Sequence, residues 1–217
     1  MPKPNSAGYR LPATISFPVL FDNKKSDRTF RRLVRNLLTV ARRLETARDY
    51  FGRRIRVTGP QYNLLMTVAQ FQGATGVSVG SVAQAMHVSS SFVTAETGKL
   101  SDLGLLKKEV NPSDRRGALI RLTPLGRRKI HGLLAEIRAV NDSFFGLLTA
   151  ESFAGLCAVA EGLVGGSREA MHYIARMEET SDNSVRARAQ SCGVCVSRRS
   201  RLHCAGPTLE KSREPVH

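Results

Sequence analysis

The sequence predicts a mainly α-helical chain with one small β-hairpin, and three observations support this fold class. Apolar residues recur at helical spacing on both sides of the middle of the chain. Two apolar runs of strand length flank the turn-forming segment Asn111-Pro112-Ser113-Asp114-Arg115-Arg116-Gly117. Two short helical patterns meet at the corner His87-Val88-Ser89 just before this hairpin. The chain is therefore expected to contain a helix-turn-helix, a β-wing after it, and longer helices at both ends.

The N-terminal part is expected to hold an arm and one amphipathic helix. Residues 1–23 contain four prolines and no helical period, which indicates an irregular arm. From Asp27 the apolar residues keep helical spacing to about Phe51, where Gly52 is expected to stop the helix. Its opposite face is rich in arginine: Arg28, Arg31, Arg32, Arg35, Arg42, Arg43 and Arg48.

Capping residues predict the helices of the central part. Thr58 is expected to cap a helix opened by Gly59-Pro60, and Ser78 to cap a short one. The next helix is expected to begin at Ser89 or Ser90 and to end at Gly104. The inward face of this second helix is predicted to consist of Phe92, Val93, Leu100 and Leu103.

Two more helices are predicted after the hairpin. Thr123-Pro124 begins a long one, and Thr149-Ala150-Glu151 begins a last one that Gly165-Gly166 is expected to kink or break. From about Thr180 the composition turns to Ser, Arg, Gly and Pro, which predicts a disordered basic tail over 180–217. Residues 24–179 are thus the predicted domain, with the central part at 57–126.

The charge is patterned along the chain. The net charge is +15. Residues 24–60 hold 12 Lys and Arg against 3 acids, and residues 99–129 hold 9 against 3. Between these blocks, residues 61–98 contain one charged side chain, Glu96. Two basic blocks around a near-neutral segment indicate a polyanionic partner.

Several classes of protein are not supported by the sequence. No run of 18 apolar residues predicts a membrane span, and Leu11–Phe21 lacks the features of a signal peptide. Three of the four cysteines lie in the last 26 residues, so a reducing cytoplasm is the expected location. No nucleophile elbow, phosphate loop or carboxylate pair suggests an enzyme, and no cofactor is expected.

The helix-turn-helix and the hairpin supply the candidate DNA-binding residues. Short polar side chains at the start of the second helix allow close approach to the major groove. Two adjacent guanidiniums on a hairpin tip suit the minor groove. Plain helix capping for the serines and a solvated turn for the tip are the alternatives. The candidates are Ser89, Ser90, Ser91, Thr94 and Lys99 in the helix, and Lys107, Lys108, Asp114, Arg115 and Arg116 in the wing.

A family resemblance extends over about 70 residues, from Val57 to Gly126. Its motifs include Thr58-Gly59-Pro60-Gln61, Val82-Ala83-Gln84-Ala85-Met86-His87-Val88-Ser89, Gly104-Leu105-Leu106, Asn111-Pro112-Ser113-Asp114-Arg115-Arg116 and Leu122-Thr123-Pro124-Leu125-Gly126. In this order and spacing they resemble the multiple-antibiotic-resistance regulator (MarR) family of winged helix-turn-helix proteins.

The resemblance implies a homodimer that binds a pseudo-palindromic operator in double-stranded DNA. Members of this family usually repress, and many release DNA when a small phenolic or lipophilic ligand or an oxidant acts. It also implies that Asp114 orients Arg116 into the minor groove. A ligand would lie between the terminal helices and the winged domain, where Phe30, Tyr50, Phe51 and Tyr62 either line its site or simply pack. The long helices bring more apolar surface than a winged domain covers, which independently favours a symmetric partner.

Some features depart from the family or leave alternatives open. Gly162, Gly165 and Gly166 suggest a loose dimer interface. Cys157 lies in an apolar helical stretch and is expected to be a buried, inert thiol rather than an oxidant sensor. Cys192, Cys195, His203 and Cys204 have the residue types of a zinc site but no scaffold, so no metal is expected. A winged-helix scaffold that binds another protein remains the alternative function.

Overall fold

The computed structural model describes Tyr9, residues 11–22, 26–111 and 114–193, without the side chains of 114–116 and 183–193. The chain divides into two compact units, Met1–Leu147 and Leu148–His217. The first contains the helices α1 (Arg28–Ile55), α2 (Gly59–Phe71), α3 (Val79–Met86), α4 (Ser90–Asp102) and α5 (Pro124–Phe145), and the strands β1 (Val77–Ser78), β2 (Leu106–Asn111) and β3 (Asp114–Leu122). The second contains α6 (Ala150–Gly193). The predicted fold class is confirmed.

The described strands form one antiparallel sheet in the order β1-β3-β2. The predicted hairpin is β2 and β3, in which Leu106 pairs with Leu122 and Lys108 with Ile120. The short strand β1 was not predicted; Val77 pairs with Ile120 on the other side of β3. Two residues give too little alternation for a strand to be recognised from sequence.

The core of the first unit lies where α1, α2, α4 and the sheet meet. Leu64, Leu65, Val68 and Leu100 are completely buried there, together with Ile120 from β3. The prediction that Leu103 lies on the inward face of α4 is wrong, because this residue caps the helix and is 50% exposed. Thr97 takes the inward position instead and is fully buried, because it lies one helical turn from Leu100 and Val93.

Helix α1 passes through Gly52, so the predicted stop there is wrong. The helix ends at Ile55, and Arg56 follows in the left-handed conformation with φ 65°. Gly52 is buried, and a Cβ at this position would lie 2.8 Å from the carbonyl oxygen of Val57. The glycine therefore permits close contact between the helix end and the chain that follows, and it does not end the helix.

The predicted caps agree with the structure. Thr58 and Gln61 form a capping box at α2, since the Gln61 amide donates to the Thr58 hydroxyl and the Thr58 amide to the Gln61 carboxamide. Thr123 caps α5 by accepting from Gly126 N–H, while its hydroxyl also lies 2.6 Å from the carbonyl oxygen of Gly104. Thr149 precedes α6 and accepts from the amide of Ser152.

Three predictions for the C-terminal part need correction. Helix α6 continues unbroken through Gly165 and Gly166, because one or two glycines cost a helix only about 1 kcal/mol each. It also runs past Glu179 to Gly193, so the predicted boundary of the tail is too early. Cys157 is exposed rather than buried. The rest of the tail, from residue 194, lies outside the described residues.

Residues 11–22 of the arm contain a single short 3-10 helix, Pro18–Leu20. The arm contacts the start of α1 through Thr14, whose amide and hydroxyl both donate to Asp27 at 2.8 and 2.7 Å. These bonds, with Arg31 nearby, lower the pKa of the Asp27 carboxyl.

Among the described residues, no single helix has the length and apolar composition needed to cross a membrane. Only α5 taken together with residues 150–182 of α6 meets that criterion, by length and composition alone.

Candidate nucleic-acid interface

The polar start of α4 is exposed to solvent. Ser90, Ser91 and Thr94 all lie on the surface. Ser89 precedes the helix, and its hydroxyl accepts from the amide of Phe92 at 3.2 Å and lies 2.9 Å from the Ser91 hydroxyl. The capping interpretation therefore holds for Ser89. Ser90 and Thr94 make no side-chain hydrogen bond to the described part of the chain, so both are free to meet a ligand.

A tight corner holds α3 and α4 in place. Ser78 caps α3 by accepting from the amide of Ser81 at 3.0 Å. At the other end of α3, His87 adopts the left-handed conformation with φ 53°, and the Val88 amide donates to the carbonyl of Ala83 at 3.0 Å. The chain can then turn directly into Ser89 and α4. This is the predicted helix-turn-helix.

Lys99, a predicted DNA contact, belongs to a polar network. Its ammonium lies 2.7 Å from Oε1 of Glu96, and Nε2 of Gln61 donates to Oε2 of Glu96 at 2.9 Å. Lys99 and Gln61, in that order, lower the pKa of the Glu96 carboxyl, which is mostly buried. Gln61 and Glu96 were not among the predicted site residues, and no motif in the sequence indicated that they meet.

The two wing lysines point to opposite faces of the hairpin. Lys108 pairs in register with buried Ile120, and its ammonium reaches the carbonyl oxygen of Thr94 at 3.5 Å. Lys107 pairs in register with Arg121 on the other face. There its ammonium lies 2.5 Å from Glu109, and this contact lowers the pKa of Glu109. The structure thus brings Lys108, but not Lys107, to the side of α4.

The tip of the wing is only partly described. Asn111 pairs with Asp114, with a register irregularity between Val110 and Asn111, and β3 begins at Asp114. The backbones of Arg115 and Arg116 follow in that strand. The side chains of residues 114–116 lie outside the described part, so the predicted orientation of Arg116 by Asp114 stays a prediction. Val110, next to the tip, is 71% exposed, so this end of the hairpin lies outside the core.

An open cleft of about 430 Å³ lies between α1 and the helix-turn-helix corner. Its volume is in the range of small-molecule sites. Phe51 and Tyr62, two of the residues suggested for a ligand site, instead pack in the core with ring centroids 5.5 Å apart. The cleft is lined by Glu45, Arg48, Asp49, Gly59, Pro60, Asn63, Met86, Val88 and Phe92.

No group of His, Cys, Asp and Glu with metal-binding geometry occurs among the described residues. The tail ligands considered above, Cys195, His203 and Cys204, lie outside the described range, and Cys192 lies where side chains are not described.

Comparison with known proteins supports the fold and the motif assignment. Residues 57–117 match the model of the MarR family. The fold is similar to that of AbsC, a MarR family transcriptional regulator from Streptomyces coelicolor, with a TM-score of 0.57 and 20% identity over 68% of this chain and 97% of that one. No curated protein sequence matches the chain.

Two further solved structures share the fold at low identity. The S. aureus MepR–DNA complex gives a TM-score of 0.54 and 15% identity over 61% of this chain and 96% of that one. CouR from Rhodococcus jostii RHA1 bound to p-coumaroyl-CoA gives 0.53 and 23%, over 58% and 87%. At these identities the likeness establishes the common architecture.

Proposed function

Residues 57–117 match the model of the MarR family, and from that premise we propose that the chain is a MarR-family regulator. It would act as a homodimeric repressor that binds a pseudo-palindromic operator in double-stranded DNA. One observation supports this most directly. The exposed polar start of α4 lies beside a basic hairpin, with the Lys108 ammonium 3.5 Å from the Thr94 carbonyl oxygen. A helix suited to the major groove and a wing suited to the neighbouring groove thus lie side by side.

Each candidate residue has a proposed role. Ser90, Ser91 and Thr94 meet base edges, while Ser89 fixes the helix start and leaves the α4 amides directed toward a phosphate. Lys99, Lys108 and Arg115 neutralise phosphates, and Arg116, oriented by Asp114, enters the minor groove. Lys107 adds positive charge to the wing but stays bound to Glu109.

The dimer is supported by apolar side chains that the described chain leaves uncovered. On α1, Leu33, Leu37 and Val40 are 42 to 50% exposed. On α6, Phe153 and Val159 are more than half exposed. Soluble proteins bury such faces against a partner, and a two-fold axis is the commonest arrangement. Two copies of α4 would then meet successive major grooves about 34 Å apart.

A small phenolic or lipophilic ligand is proposed to release the DNA. The cleft between α1 and the helix-turn-helix corner supports this, because Met86, Val88 and Phe92 from that corner form one of its walls. A molecule in the cleft would move the start of α4 relative to α1. The solved structure of CouR holds p-coumaroyl-CoA. The protein is proposed to act in the cytoplasm.

Operator binding is tested with Arg116→Ala. The operator sequence is first selected from a random pool of duplexes with the full-length protein. Loss of the minor-groove guanidinium is expected to cost about 1–3 kcal/mol in binding at fixed salt, without a change in circular dichroism or melting temperature. Arg138→Ala, an exposed arginine of α5, is the charge-matched control. An unchanged dissociation constant for Arg116→Ala contradicts the wing assignment.

If the pool yields no preferred sequence, the protein-binding scaffold becomes the better explanation. The dimer is tested separately by Leu37→Glu, which is expected to give monomers in analytical ultracentrifugation. Phe71→Glu is the control, because Phe71 at the end of α2 is 51% exposed and Leu37 is 44% exposed. A dimer that persists in Leu37→Glu contradicts the proposed interface.

A further inference from the structure

One side of α1 carries a row of exposed arginines that the proposed operator contacts do not use. We call it the arginine face. Residues 28, 32, 35 and 42 are separated by four, three and seven positions, so they lie on one side of the helix. At 1.5 Å per residue the row is about 21 Å long. The arginine face consists of Arg28, Arg32, Arg35, Arg42 and Arg43, all exposed.

These guanidiniums are not neutralised within the described chain. None of the five forms an ion pair with a carboxylate among the described side chains. Arg31, by contrast, lies 2.6 Å from Asp27, and Arg54 lies 2.8 Å from Glu136. Helix α1 holds nine arginines but two acids, Glu45 and Asp49. An uncompensated row of this kind creates a strong positive potential.

The apolar side of α1 lies opposite the arginine face. Leu33, Leu37 and Val40 occupy it, about 120 to 180° around the helix from Arg28 and about 80 to 140° from Arg32. On the proposed dimer, this apolar side is covered by the partner and the arginine face stays in solvent. A membrane-binding amphipathic helix would need both faces at the lipid surface, so covering the apolar face argues against a lipid partner.

Two hydroxyls on the arginine face are engaged in the helix itself. The Thr39 hydroxyl donates to the carbonyl of Arg35 at 2.9 Å, and the Thr46 hydroxyl donates to that of Arg42 at 3.0 Å. Besides the Asn36 carboxamide, what remains is a row of guanidiniums, which bind phosphate through paired hydrogen bonds. Such a face suits a backbone and offers little for reading bases.

We propose that the arginine face binds the phosphate backbone of duplex DNA outside the operator, without sequence preference. The proposal rests on the proposed function for the dimer and for the operator site. It gives the DNA-bound protein a second contact, made either to the flanks of its own site or to another duplex. Both sources present the same phosphate chemistry.

Capture of a second duplex tests the proposal. A short biotinylated duplex with the selected operator is saturated with full-length protein on beads, and a fluorescent 40-base-pair duplex of unrelated sequence is added. Wild type is expected to retain it. The variant R32Q/R35Q/R42Q should retain about tenfold less, and its binding should depend less steeply on salt because it neutralises fewer phosphates. The control R138Q/R168Q/R176Q removes the same charge from α5 and α6 and should behave like wild type.

Flanking DNA is tested by placing the operator within a long duplex. The gain in affinity over the short duplex should shrink in the arginine-face variant and persist in the control. The proposal is supported if the variant loses capture of the second duplex or the affinity gain from flanking DNA, while its binding to the short operator duplex stays within twofold of wild type. Which of the two is lost identifies which DNA the arginine face binds. A variant that equals wild type in both arms overturns it. The proposal is also overturned if the variant's affinity for the short operator duplex falls as much as its binding of the other DNA, since its arginines would then belong to the operator site.

Competition and a direct measurement complete the design. If polyglutamate or anionic phospholipid vesicles displace the second duplex as well as unlabelled DNA does at equal charge, the DNA assignment is overturned. If the selection enriches no sequence, the proposed operator function fails. The arginine face is then tested by direct binding of the unrelated duplex to wild type and to the triple variant, where equal affinities overturn it.

Discussion

The carboxamide of Gln61 joins the start of α2 to α4, because its Nε2 donates to Oε2 of Glu96 at 2.9 Å. Its Oε1 at the same time accepts from the amide of Thr58. One mostly buried side chain thus completes a helix cap and fixes α4. Since Glu96 also holds Lys99, Gln61 connects the start of α2 to a residue that is proposed to neutralise a phosphate.

Replacing Gln61 by alanine should destabilise the protein. The variant leaves the Thr58 amide without its side-chain acceptor and Glu96 without a buried donor. The expected loss is about 1–3 kcal/mol in the free energy of unfolding, measured by urea denaturation. Gln70→Ala, on an exposed position of the same helix, controls for the change in composition and should shift stability by less than about 0.5 kcal/mol. Equal effects of the two substitutions would contradict the bridging role.

The contribution of Glu96 should depend on pH. Its pKa lies below its usual value of 4.5 in the folded protein, first because Lys99 and then because Gln61 donates to the carboxylate. A lowered pKa stabilises the fold fully above the unfolded value, and this stabilisation disappears as the pH falls through the folded one. Wild type should therefore exceed Glu96→Gln in stability at pH 7, and the difference should shrink below about pH 4.5.

The measurement for Glu96 is urea denaturation of both proteins across this pH range. Glu45→Gln, an exposed acid of α1 with no described ion pair, is the control for the change in charge. A difference between wild type and Glu96→Gln that stays constant from pH 7 to pH 4 would show that the charge is not stabilised by its neighbours.

Two glycines of α5 should respond to alanine in opposite ways. A Cβ on Gly126 would overlap the carbonyl oxygen of Leu105, which is backbone and cannot swing away. Gly126→Ala is therefore expected to lose about 2 kcal/mol or more in unfolding free energy. Gly132, six residues further on, has open space around the same position. Gly132→Ala should gain about 0.5–1 kcal/mol, as glycine is a poor helix former.

Thermal and urea denaturation of the two single variants check this pair. Because both substitutions add one methyl group to the same helix, differences in composition cancel. A stable Gly126→Ala protein would mean that α5 approaches Leu105, between α4 and β2, less closely than the structure shows.

The sequence was sufficient to predict those helices and strands whose signals come from residues close together in the chain. Helical spacing, capping residues such as Thr58 and Ser89, and the turn chemistry before Asp114 located the helices and the wing. These signals depend on neighbours within a few residues. The length of the last helix was misjudged because Gly165 and Thr180 weaken the helical pattern without reversing it.

Contacts between distant residues could not be predicted. Nothing in the spacing of Gln61 and Glu96 indicates their hydrogen bond. Gly52 is a residue type that often ends a helix, but here it allows the backbone at Val57 to approach the helix closely. The same holds for the two wing lysines. They are neighbours in sequence, but the pleat of β2 directs them to opposite faces of the hairpin. Only the register with Arg121 and Ile120 shows which lysine lies on which face.

The wing lysines should contribute unequally to DNA binding. Both substitutions to methionine remove one positive charge, so their long-range effects match. Lys108 faces α4, so Lys108→Met should weaken operator binding about three- to tenfold and reduce the salt slope by about one. Lys107 is bound to Glu109 on the other face, so Lys107→Met should change affinity by about twofold or less. Fluorescence anisotropy with the selected duplex at several salt concentrations measures both, and the reverse order would place the DNA on the Glu109 side of the hairpin.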